Sequence, residues 1–225
     1  MSRVIFSLCL LCCIAGCTSR IAPETAYVVA YVSKDGPRRP IVALVPLIDS
    51  TLPHLSWNLS DELTAGIERR LDKKDIFYLA RPARMRQIAR TLSPAQNPFG
   101  TDPSWMKEAF PRDEFVVFME LLEHDEVPLS PGDAPAELNI AVRLRVLDLR
   151  GQKVRVVLQE VVRESHYIPK PFTRAHFAPA TWGSDTYSIT PLGLAHAQLS
   201  KEIAGRIEDY ILLVAPVPGE KSSDG

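Results

Sequence analysis

The stretch that most constrains this chain is Ile41-Val42-Ala43-Leu44-Val45-Pro46-Leu47-Ile48-Asp49, an apolar run followed by a polar turn and an amphipathic segment ending at Leu71. A run without apolar–polar alternation is expected of a strand covered on both faces of a sheet, which demands layers of structure on either side. Pro46 cannot donate to a ladder, so pairing should weaken there. Beyond the turn, Leu59, Leu63, Ile67 and Leu71 recur every four residues and predict one buried helical stripe. Asn58 or Ser60 can cap that helix. Asp61 and Glu62 in its first turn and Arg69, Arg70, Lys73 and Lys74 near its end suit the helix dipole. The unit reads as strand, loop, helix.

The rest of the chain extends the pattern. Asp75–Leu79 predicts a short strand, and Pro82 opens a helix with Met85, Ile88, Ala89 and Leu92 on its inner side. Arg81, Arg84, Arg86 and Arg90 on that helix read as a solvated face. Residues 93–110 read as a proline-rich loop with one helical turn around Trp105-Met106. Phe115–Leu122 predicts a third buried strand, and Glu120, Glu123, His124, Asp125 and Glu126 an acidic cluster beyond its end. Leu138–Leu149 alternates with period two and returns through a turn at Asp148–Gln152 as a strand over Lys153–Ile168, a hairpin with one dry and one wet face. Thr190-Pro191 caps a last helix carrying Leu192, Ala195, Leu199, Ile203, Ile207 and Ile211. The expected fold is an α/β sandwich, with a mixed central sheet of about five to six strands, a terminal β-hairpin and about three packing helices.

The amino terminus says where this domain is held. Arg3 precedes an apolar stretch from Val4 to Gly16, too short for the roughly 20 residues of a membrane-spanning helix but suited to a secretion signal. Its end, Ile14-Ala15-Gly16-Cys17, resembles the bacterial lipobox. That resemblance implies a diacylglycerol thioether on Cys17 and, after cleavage, an N-acyl chain, together a lasting anchor. Residues 1–16 thus read as a lipoprotein signal peptide, 17–24 as lipidated cysteine and short tether, 25–214 as a single α/β domain that includes a strand at Ala26–Val32, and 215–225 as a disordered tail. The other cysteines, Cys9, Cys12 and Cys13, leave with the signal, so no disulfide is expected. Thr18 rather than Asp after the cysteine implies the periplasmic face of the outer membrane, with inner-membrane retention the alternative.

Pro46-Leu47-Ile48-Asp49 followed by Leu59-Ser60-Asp61-Glu62-Leu63 resembles the strand–helix unit of an envelope group: the TolB amino-terminal domain, CsgG and the LpoB-type domain. The resemblance spans about residues 40–213, with Leu47 in place of the usual aromatic residue. It implies a role in binding or assembly with an envelope protein partner. No propeller follows, no barrel-forming strand pair is present, and the tether is short.

Composition excludes other classes. Lys and Arg number 26 against 27 Asp and Glu, and loss of Arg3 with the signal leaves 25 against 27, with no basic footprint for nucleic acid. His54, His124, His166, His176 and His196 fall in no metal-ligand spacing, and only His166 and His176 flank a common loop. No nucleophile elbow, phosphate loop or dinucleotide fingerprint occurs. The expectation is a non-catalytic protein without cofactor other than its covalent lipid. Its candidate partner surface is the aromatic stretch Tyr167, Phe172, Phe177, Trp182 and Tyr187, where two readings stand: an interface, or rings closing one end of the core. Asp49, at the carboxyl end of the central strand, is a secondary candidate. A small-molecule or glycan site on the same 167–187 stretch is the alternative function.

Overall fold

A computed structural model describes residues 39–51, 55–132, 134–174 and 181–214. The signal peptide, Cys17, the tether, the Ala26–Val32 strand, His54, His176, Phe177 and the 215–225 tail lie outside the described residues. The apolar run forms β1 (Ile41–Leu44) and a two-residue β2 (Ile48–Asp49), broken at Pro46. Side chains of α1 (Leu59–Lys74) satisfy the backbone at the break. The Leu47 amide donates to Thr64 Oγ1 at 3.0 Å, and the Ser60 hydroxyl donates to the Leu47 carbonyl. Asn58 is the cap, its side chain accepting from the Asp61 amide at 3.2 Å.

Next come β3 (Tyr78–Leu79), α2 (Pro82–Thr91), the single turn α3 (Met106–Ala109), β4 (Phe115–Pro128), β5 (Ala136–Asp148), β6 (Arg155–Ile168) and α4 (Pro191–Val214). The six-stranded sheet runs β3-β1-β4-β5-β6, with β2 on β4; β3, β1 and β4 are parallel, and β4, β5 and β6 form an antiparallel meander. The fold is the expected α/β class, and the terminal hairpin is the outer pair of this meander. β3 is shorter than Asp75–Leu79 because Asp75, at φ 55°, is spent on closing α1 in the left-handed region.

Two cores flank the sheet. On one face α1 and α4 bury Leu63, Ile67, Leu199, Ile203 and Ile207 against Leu44, Val117, Met119, Val142 and Leu144. On the other, α2, α3 and their connecting loop bury Met85, Met106 and Phe110 against Ala43, Val116, Phe118 and Leu147. This double cover explains the run of five buried residues that opens β4. Arg145, buried in β5, holds the 93–110 loop by donating to the carbonyls of Pro98 and Gly100 at 2.8 and 2.7 Å. Helices α1 and α4 approach closely at Gly66, where a Cβ would stand 2.7 Å from Ser200 Oγ. β4 continues through Pro128, so Glu120–Glu126 lies within a strand and not beyond one; Glu120 pairs with Arg143, and Glu126 accepts the Arg174 amide.

Candidate functional site

The four described aromatic candidates, Tyr167, Phe172, Trp182 and Tyr187, do not form one surface. Tyr167 is 62% exposed at the end of β6, and Phe172 is 43% exposed in the 3-10 turn Lys170–Phe172. Tyr167 stands in register with Glu137 and, one strand further, Val127, which is 48% exposed, while Leu129 just beyond is 53% exposed. These residues make an apolar rim at the distal end of the meander, away from α2 and α3. Trp182 is half-buried elsewhere, on the wall of a groove. Asp49 accepts hydrogen bonds from the amide and hydroxyl of Thr51 at 2.9 and 2.7 Å, a local turn closing β2.

Tyr187 follows the packing reading and not the surface one. It is 6% exposed in the 3-10 turn Tyr187–Ile189 and belongs to a buried polar chain. Its hydroxyl donates to Glu62 Oε1 at 2.6 Å, and Trp57 Nε1 donates to Glu62 Oε2 at 2.7 Å. His196 Nδ1 lies 3.0 Å from Glu62 Oε1 and 2.8 Å from the Tyr187 oxygen, and His196 Nε2 lies 2.9 Å from His124 Nε2. His196 Nδ1–H donates to the Glu62 carboxylate, and the two Nε2 atoms share one hydrogen bond between the rings. Burial pushes the Glu62 carboxyl up, but the His196 hydrogen bond and charge, then Tyr187 and Trp57, hold it below the ordinary value. Burial, and then the Glu62 carboxylate, push the Tyr187 phenol up, so it remains a donor. The chain therefore joins α1, β4, the 3-10 turn and α4, with every polar atom given a partner. Trp57 and Tyr187 also meet edge to face, with centroids 5.4 Å apart.

Spacing along the chain could not show this network, because its members come from four elements. A fainter signal was present. Glu62 falls on the apolar stripe three residues after Leu59, and His196 falls three before Leu199, so each is a polar residue at a core position. Of the pair His166 and His176, the described member, His166, hydrogen-bonds Glu164 at 2.8 Å. Among the described residues no three His, Cys, Asp or Glu side chains gather as metal ligands, and no helix is long and apolar enough to cross a membrane.

A groove of about 350 Å³ opens between α1 and α2. Asp61, Thr64, Ala65 and Glu68 form the α1 wall and Pro82, Met85 and Arg86 the α2 wall, with Pro46 and Trp182 completing it. β1 leads to α1 on one face of the sheet and its neighbour β3 leads to α2 on the other. The groove thus sits at the carboxyl ends of adjacent strands whose helices diverge, the topological switch point where α/β sheets bind ligands. Asp49 does not line it. Of the four arginines at α2, Arg84 is spent on a bidentate pair with Asp113, at 2.9 and 2.6 Å.

A family model described as a family of unknown function (DUF7499) matches residues 29–215. No curated protein matches in sequence. Among solved structures, the hypothetical protein CT253 of Chlamydia trachomatis is 27% identical with a TM-score of 0.63, covering 77% of this chain and 98% of that one. Lipoprotein GNA1162 of Neisseria meningitidis aligns at 11% identity and TM-score 0.40, over 76% of this chain and 99% of its own. TolB of Acinetobacter baumannii aligns at 12% and 0.38, over 77% of this chain and 28% of its own.

Proposed function

We propose that this chain, which belongs to the DUF7499 family of unknown function, is a lipid-anchored protein of the bacterial envelope whose α/β domain is a non-catalytic module for binding a partner protein. Cys17 would carry the lipid and hold the domain at the periplasmic face of the outer membrane. The observation that carries the partner reading is the rim of Val127, Leu129, Tyr167 and Phe172, where exposed apolar side chains gather at one end of an otherwise polar sheet face. An aromatic, apolar patch with charge among and beside it, here Glu137 between Val127 and Tyr167 and Arg163 further along β6, has the composition of an interface.

A photo-crosslinking residue at position 167 tests this in intact cells, with position 156, also exposed on β6 but far from the rim, as control. The proposal expects one discrete envelope-protein adduct from position 167 and none from 156, lost when Tyr167 and Phe172 neighbours are made polar. Equal labelling from both positions would remove the basis for the rim as an interface.

A further inference from the structure

The groove at the switch point presents opposite charges on opposite walls. Glu68 projects from α1 and Arg86 from α2, and among the described residues neither has a hydrogen bond or an ion pair. Burial pushes the Glu68 carboxyl up, Arg86 opposes this from a distance and Asp72 adds to it, so the carboxylate lacks a cation at contact. A half-buried ion without a partner costs free energy that a bound counter-charge relieves. Trp182, Met85 and the rings of Pro46 and Pro82 line the same groove, an apolar bed of the kind that holds a hydrophobic body.

We infer that this groove binds a short peptide with free termini, its ammonium at Glu68 on α1, its carboxylate at Arg86 on α2, and an apolar side chain against Trp182 and Met85. Asp61, two helical turns before Glu68 on the same wall and so about 10 Å away, reinforces the negative side. With two carboxylates against one guanidinium the lining repels phosphates and sulfated sugars and favours a ligand that brings its own cation. The volume, at the lower end of the roughly 300–1,000 Å³ of ligand pockets, suits a few residues and not a long polymer. This site is separate from the meander rim and stands or falls without it.

Calorimetric titration of the purified full-length chain tests the inference with Ala-Leu, N-acetyl-Ala-Leu, Ala-Leu amide and the doubly blocked dipeptide. Ala-Leu should bind at a single site, and blocking either terminus should weaken it about tenfold, the worth of one charge-assisted hydrogen bond. Glu68→Gln should make acetylation indifferent, Arg86→Gln should do the same for amidation, and Trp182→Ala should weaken every peptide while the melting temperature stays near the parent's. The blocked-peptide comparison uses the unaltered chain and decides even where a variant is unstable. No binding of Ala-Leu at millimolar concentration, or equal binding of the free and doubly blocked dipeptides, overturns the proposal.

Discussion

Two glycines of α4 should respond to the same substitution with opposite signs. A Cβ built on Gly193 would stand 2.1 Å from the Tyr187 carbonyl oxygen and 3.0 Å from its carbon, whereas one on Gly205 meets nothing within 4 Å. Both positions are helical, so propensity alone predicts that alanine stabilises each by up to about 1 kcal/mol. At Gly205 that gain should appear in full. At Gly193 the obstacle is backbone, and relief needs a movement of about 1 Å in the 3-10 turn that carries Tyr187 into the Glu62 and His196 network, a cost of about 1–3 kcal/mol by the scale of overpacked cores. Gly193→Ala should therefore lose about 2 kcal/mol and Gly205→Ala gain somewhat under 1, a separation of about 3 kcal/mol between two identical changes. Urea unfolding of the unlipidated domain reads this directly, and the midpoints should move apart with the m-value unchanged. Equal shifts of the same sign would refute the claim that the Tyr187 turn is clamped against the start of α4.

Three further outcomes follow from the polar contacts and the amino terminus. Asp148 has no exposed side-chain surface. Burial pushes its carboxyl up, but hydrogen bonds from Arg150 and then Arg155 bring it down to about 2, so its stabilisation is present above its unfolded value of 3.8 and is lost as pH falls through about 2. That gap is worth about 2 kcal/mol, so Asp148→Asn should lower stability at pH 7 by about that much and flatten the pH dependence between 4 and 2 in urea titrations. Tyr187→Phe removes a donor to buried Glu62 and should cost about 1–3 kcal/mol in the same assay; an unchanged midpoint would mean that water replaces the hydroxyl. Cys17→Ala should release the protein from the membrane fraction of lysed cells, and undiminished membrane association would exclude lipid on Cys17 as the anchor.

What could be read in advance, and what could not, divides by the range of the forces involved. The α1 stripe, its Asn58 cap, Pro82 at the start of α2, the turn around Trp105-Met106 and the β5–β6 pair all rest on contacts between near neighbours in sequence, where periodicity and capping chemistry speak directly. β3 was overestimated because the αL conformation of Asp75 is imposed by helix termination, which a strand propensity count at Ile76-Phe77-Tyr78 does not register. The expected strand ends at Leu122, short of the observed Pro128, because the second half of β4 is charged on one side. Those charges are tolerated since α2 and α3 cover only the first half of that face, a fact of tertiary layering. The described aromatic residues of the 167–187 stretch are divided by tertiary layering in the same way. Tyr187 is claimed by a carboxylate 125 residues away, Trp182 by the groove, and Tyr167 by the open end of the sheet, and composition cannot sort them.

The buried chain and the groove meet on one element. α1 turns Leu59, Glu62, Leu63, Ile67 and Leu71 inward, and the flank bearing Asp61, Thr64, Ala65 and Glu68 toward the groove. A helix held only by apolar packing can rotate or slide by small amounts, because dispersion contacts are not directional. The Glu62 carboxylate, receiving from Trp57 and Tyr187 and facing His196, fixes the rotation of α1 about its axis, while the Ser60 and Thr64 bonds to Leu47 fix its position along the sheet. Glu68 sits six residues beyond Glu62 on the same helix, so the bonds that fix α1 also fix where Glu68 stands on the α1 wall of the groove. The polar chain thus orients the α1 wall of the groove through a carboxylate on a neighbouring flank of the same helix.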